Sequence, residues 1–180
     1  HEGFICLGWF IRGSRGVRHG PLVKKEMNDQ FSILWGSRRI NHRQIDLYTA
    51  SAIKQLKGLG IKAGDRIAIW DENSVEYVVL LLALWQLKAV AAPIHFKWTK
   101  KMVQAYVSKI NARKLFTNED IKRIVCFDAR HEVHPTRYDF DTEQEVVIVA
   151  TSGSSGDPKP AVLTWGNLYF NALGSQSVMP

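Results

Sequence analysis

The sequence predicts an α/β fold, a largely parallel sheet flanked by helices. Short apolar β-rich runs alternate with helical periods from residue 31 onward. Several of those runs, "RIAIW", "AVAAPI" and "EVVIVA", are apolar throughout, as strands covered on both faces must be. The intervening segments carry apolar residues at three- and four-residue spacing behind capping residues, so helices cross back between the strands.

Each element follows in order. "FSILWGSRRIN" reads as a hairpin turning at Gly36-Ser37. Asn41 then caps a helix whose apolar face holds Ile45, Tyr48, Ala52, Ile53, Leu56 and Leu59, and Gly58 and Gly60 end it. Ala63-Gly64-Asp65 turns into a strand, Arg66 to Trp70. Asn73 or Ser74 caps a helix over 75–87, apolar on most sides and therefore buried. A strand is expected over 89–94. Thr99 caps a helix over 100–110 that turns Met102, Val103, Tyr106, Val107 and Ile110 inward. "KLFT" and "RIVCF" are expected strands, and residues 128–144 form a polar connection. "EVVIVA", a polar loop, a strand "AVLTW" and a helix from about Asn167 complete the chain.

Composition narrows the function. The 180 residues are 46% hydrophobic and 23% charged, the profile of a folded globular chain. The net charge of +7 invites an anionic partner, but Arg12, Arg15, Arg18, Lys24 and Lys25 are separated from Arg38, Arg39, Arg43, Lys97, Lys100 and Lys101. Nucleic-acid binders cluster such charges with stacking aromatics, so no nucleic-acid partner is expected. Two distant cysteines, Cys6 and Cys126, suit a reducing cytoplasm. "HEVH" at 131–134 lacks metalloprotease spacing and runs into Pro135, so no metal site is assigned there. The longest apolar run, "VEYVVLLLALW", is too short to span a bilayer, and no transmembrane segment is expected. Residues 1–30 are read as an arm or leader of unknown role.

The chemistry concentrates in "TSGSSGDPK", residues 151–159. Gly153 and Gly156 allow positive φ and bring backbone N–H groups close to a ligand, where consecutive amides form an anion seat. The hydroxyls of Thr151, Ser152, Ser154 and Ser155 are small rotatable donors, and Lys159 adds a mobile positive charge. The same residue types suit an ordinary surface turn. Position at the carboxyl end of a buried strand favours the anion seat, most simply for the polyphosphate of ATP. The spacing is not that of a Walker A loop.

"TSGSSGDPKPAVLTWGNL" resembles the signature of the adenylate-forming superfamily, commonly T-S-G-[ST]-[ST]-G-x-P-K-G followed by a strand and L-T-H-x-N-L. That superfamily includes acyl- and aryl-CoA ligases, adenylation domains of peptide synthetases and luciferases. The stretch from Ile40 to Ile94 resembles its opening segment, and the likeness covers about residues 31–180. It implies a partial N-terminal domain ending just after the phosphate loop. It further implies that Thr151, Ser152, Gly153, Ser154, Ser155, Gly156 and Lys159 grip ATP phosphates with Mg2+ while a carboxylic acid attacks the α-phosphorus. CoA then takes the acyl group from the acyl-adenylate. "LTWGNLYFNALGS" is more similar to 2-succinylbenzoate–CoA ligases of menaquinone biosynthesis than to long-chain fatty acyl ligases. A fragment of such an enzyme is expected to be inactive alone and to associate through exposed sheet edges. A peptide-synthetase adenylation domain or a noncatalytic interaction module remains open as an alternative. Four positions depart from the family pattern: Pro160 and Lys88 stand where glycines are usual, Trp165 where histidine is frequent, and Lys97 near a common arginine.

Overall fold

The computed structural model describes residues 32–35, 38–127, 141–151 and 157–178. The N-terminal segment, the Gly36-Ser37 turn, "HEVH" and most of the polar connection lie outside the described residues. Strands β1 (Ser32–Trp35) and β2 (Arg38–Asn41) pair antiparallel as expected. Asn41 caps helix α1 (His42–Gly58) through a reciprocal box with Gln44, each side chain accepting from the other's N–H at 2.9 Å. Strand β3 (Arg66–Trp70) follows, then α2 (Val75–Gln86) capped by Ser74, β4 (Val90–Ile94), and α3 (Lys100–Lys109) capped by Thr99.

After β5 (Lys114–Thr117) the structure departs from expectation. "RIVCF" is not a strand: Arg123 and Ile124 end a helix, α4 (Asn118–Ile124), and Val125 caps it. The reason is local. The Thr117 amide and hydroxyl both donate to Asp120, acidic residues occupy the first turn, and Lys122 and Arg123 meet the carbonyl end. Strand β6 (Glu145–Thr151), β7 (Lys159–Thr164) and α5 (Trp165–Val178) complete the described chain. β7 begins two residues earlier than the sequence suggests. Helix α5 begins at Trp165 rather than near Asn167, because Thr164 and Asn167 exchange capping bonds across its first turn.

The main sheet has the order β5-β3-β4-β6-β7. β5, β3, β4 and β6 are mutually parallel, and β7 returns antiparallel along β6. Helices α1, α2 and α4 cover one face, where Leu56, Ile67, Ile69, Leu80 and Leu84 are fully buried. Helix α3 covers the other, packing Val103, Tyr106 and Ile110 on Ala68, Ala92 and Ile148. Each such Leu or Ile contributes about 1.5–3 kcal/mol by leaving water. Two expected core residues are not core: Leu59 is 44% and Met102 41% exposed. Leu59 stands at the C-cap, past the helical face, and Met102 lies off the Val103–Tyr106–Ile110 row.

Three helices end in the same left-handed cap. Gly60, Lys88 and Asn111 have φ of 75°, 57° and 51°. In each the amide of that residue and the next reach back to the final turn, as Lys88 N–H to Trp85 O at 3.0 Å and Ala89 N–H to Leu84 O at 2.9 Å. This explains why a glycine is usual at position 88. Trp165 packs edge-on against Trp85, ring centroids 5.1 Å apart, while the Trp85 indole N–H donates to the Val146 carbonyl at 2.9 Å. Pro160 sits in β7 opposite Ala150. As β7 is an outer strand among those described, proline is tolerated there.

Candidate functional site

The carboxyl ends of β3, β4, β5 and β6 emerge along one edge of the sheet, because those strands are parallel. Short polar contacts tie the turns there. The Trp70 indole N–H donates to the Phe96 carbonyl at 3.2 Å, and Asn118 Nδ2 donates to Asp71 Oδ2 at 3.0 Å. The polar loop leaves this edge at the end of β6.

Of the seven residues predicted for the phosphate loop, two are described. Thr151 is the last residue of β6 and Lys159 the first of β7, and they are paired across the hairpin. Both are exposed. The Thr151 hydroxyl donates to the Lys159 carbonyl at 3.1 Å, closing the base of the loop. Ser152, Gly153, Ser154, Ser155 and Gly156 lie outside the described residues. The ladder therefore brings the two ends of the predicted site together in register.

The loop's returning limb is held from another element. Lys109 Nζ, at the end of α3, lies 2.6 Å from Asp157 Oδ2 and 3.0 Å from the Pro158 carbonyl oxygen. Nothing in the sequence points to Lys109, which stands 48 residues from Asp157. Its position depends on how α3 crosses the sheet.

Among the described residues no group of three or more His, Cys, Asp or Glu side chains could hold a metal ion. No helix among them is long and apolar enough to cross a membrane.

Comparison with known proteins places this geometry. The chain is 24% identical over 155 residues to 2-succinylbenzoate–CoA ligase of Bacillus cereus, spanning 82% of this chain and 32% of that enzyme. It is 26% identical over 157 residues to the Bacillus mycoides enzyme of the same name, with the same coverage. It thus spans about a third of the length of the curated relatives it matches. Among solved structures, it superposes on o-succinylbenzoate CoA synthetase of Bacillus subtilis in complex with its acyl-adenylate intermediate. The TM-score is 0.66 at 20% identity, covering 79% of this chain and 41% of that one. The N-terminal subdomain of Klebsiella oxytoca NpsA in complex with 3-hydroxyanthranilyl-AMSN gives a TM-score of 0.61 at 20% identity, covering 73% of this chain and 35% of that one. The fold is that of the N-terminal portion of adenylate-forming enzymes. The family model for AMP-binding enzymes matches residues 23–180, and the chain belongs to the AMP-binding enzyme family.

Proposed function

We propose that this chain carries the phosphate-binding part of an ATP-dependent acid–CoA ligase. The observation that carries the reading is the hairpin itself: a Ser- and Gly-rich loop spans Thr151 and Lys159 at the carboxyl edge of a parallel sheet in an AMP-binding family member. ATP supplies the adenylyl group, CoA the acyl acceptor, and Mg2+ neutralises part of the polyphosphate charge.

The chain's own residues have separable tasks. The amides and hydroxyls of Ser152, Gly153, Ser154, Ser155 and Gly156 donate to phosphate oxygens. Lys159 places an ammonium beside the β- and γ-phosphates. Thr151, whose hydroxyl is bonded to Lys159 O, holds the two limbs together. Fixed donors of this kind position the polyphosphate while a substrate carboxylate attacks the α-phosphorus, and pyrophosphate leaves. The names of the curated relatives support 2-succinylbenzoate as the acid; menaquinone biosynthesis as the setting and the cytoplasm as the compartment are part of the same proposal. A peptide-synthetase type adenylation domain is the second reading, supported by the likeness to NpsA. The two share the adenylation step and differ in the acceptor.

Equilibrium binding of Mg·ATP to the chain, compared with Lys159→Ala, tests the phosphate seat. We expect Lys159→Ala to weaken binding about tenfold or more, the loss of a charge-assisted contact. Equal binding by the two proteins would refute the assignment and favour a noncatalytic module.

A further inference from the structure

Within the stretch 151–160, Asp157 is the one acidic side chain, and it lies two residues before Lys159. An uncompensated carboxylate there would do two things against phosphate binding. It would repel the polyphosphate, and it would attract the Lys159 ammonium to itself. Lys109 meets that carboxylate at 2.6 Å. The same ammonium makes a second bond to the Pro158 carbonyl at 3.0 Å, one residue before Lys159. From the opposite limb, the Thr151 hydroxyl fixes the Lys159 carbonyl at 3.1 Å.

The geometry points to Lys109 as a positioning residue for the nucleotide site. It neutralises Asp157 and fixes the backbone ahead of Lys159, so that the Lys159 side chain stays available to phosphate. This rests on the phosphate-loop reading above. Lys109 itself need not touch the nucleotide. The side chains of Lys109 and Asp157 are 37% and 72% exposed, so their ion pair contributes little to global stability. Its effect belongs to the arrangement of the loop, and shows in binding rather than in unfolding.

The test is Mg·ATP binding to the chain and to Lys109→Gln, Lys109→Arg, Asp157→Asn and the double variant Lys109→Gln/Asp157→Asn, with Lys159→Ala alongside. Lys109→Gln is expected to raise Kd about fivefold, within the range of an exposed, hydrogen-bonded charge pair. Lys109→Arg should restore most of that affinity. The double variant should bind better than Lys109→Gln, because the stray carboxylate is gone, a reversal that a purely structural role would not give. Urea midpoints should be unchanged across the set. Unaltered Kd for Lys109→Gln beside a weakened Lys159→Ala overturns the role of Lys109 and leaves the phosphate loop standing. A double variant no better than Lys109→Gln also overturns it. Wild-type binding no tighter than that of Lys159→Ala overturns the phosphate loop, and this inference with it.

Discussion

Replacing Lys88 by glycine should stabilise the protein, although a side chain is removed. Lys88 holds φ at 57°, where an L-residue crowds its Cβ against the following carbonyl. That conformation costs about 1–2 kcal/mol, and glycine adopts it freely. Against the gain stands the greater freedom of glycine in the unfolded chain, about 0.4–1 kcal/mol. The Lys88 side chain is exposed, so no buried surface is lost. The backbone contacts of the turn survive, including Gly64 N–H to Lys88 O at 2.8 Å. The net expectation is about 0.5–1 kcal/mol of added stability. In urea unfolding followed by tryptophan fluorescence, the midpoint should rise by about 0.3–0.7 M with an unchanged slope. Asn111→Gly is the internal comparison: Asn tolerates φ of 51° better than Lys does, so the gain should be a few tenths of a kcal/mol. A Lys88→Gly midpoint equal to or below the parent's would show that the left-handed cap is not strained, and the reasoning would fail.

Other perturbations probe other parts. A Cβ added at Gly166 would lie 3.0 Å from the Thr142 carbonyl oxygen, which itself accepts from Gly166 N–H at 2.9 Å and cannot retreat without losing that bond. Gly166→Ala should therefore cost about 1–3 kcal/mol in the same unfolding assay; an unchanged midpoint refutes it. Burial, and next the charge of Asp71, push the Tyr77 phenol above its ordinary range. The unfolded chain ionises this tyrosine above about pH 10 while the folded one keeps it neutral. Its contribution is thus intact below pH 10 and lost progressively as pH rises beyond it. Tyr77→Phe should flatten the decline in urea midpoint between pH 9 and 11, and an identical decline would exclude Tyr77 as its source. Finally, β7 is an outer strand with Val162 40% exposed, beside a helix whose Phe170 is 66% exposed. Light scattering should show association that Val162→Lys reduces; a clean monomer at high concentration before any substitution counts against it.

The parts of the fold legible in the sequence are those whose signals are local or absolute. Strands β3, β4 and β6 are covered on both faces and spell continuous apolar runs. The caps at Asn41, Ser74 and Thr99 use side chains that bond their own first turn. Helix α4 was equally local, and the Thr117–Asp120 box with Lys122 and Arg123 behind it would have revealed it. The apolar letters of "RIVCF" misled because Ile124 and Val125 are core residues of a helix and its cap, not of a strand. Exposure at Leu59 and Met102 was hidden because periodicity does not state how wide a buried stripe is. The loop's residue types were legible. Lys109 was not, because only the crossing of α3 over the sheet brings it to Asp157.

That difference bears on how the candidate site is built. A loop that offers its amides and hydroxyls to a ligand cannot also use them to hold itself in place. Its order must come from its ends and from neighbours. Here the ends are set by register: six pairs, from Glu145↔Thr164 to Thr151↔Lys159, align the hairpin, with an irregularity between Glu145 and Val147 at the far end. A slip of one residue would turn every β7 side chain to the opposite face and carry Lys159 away from Thr151. Pro160 strengthens that choice by excluding registers in which position 160 must donate a ladder bond. The neighbour is α3, through Lys109. Among the described residues, strand pairs and a distant lysine therefore hold the two ends of the proposed site.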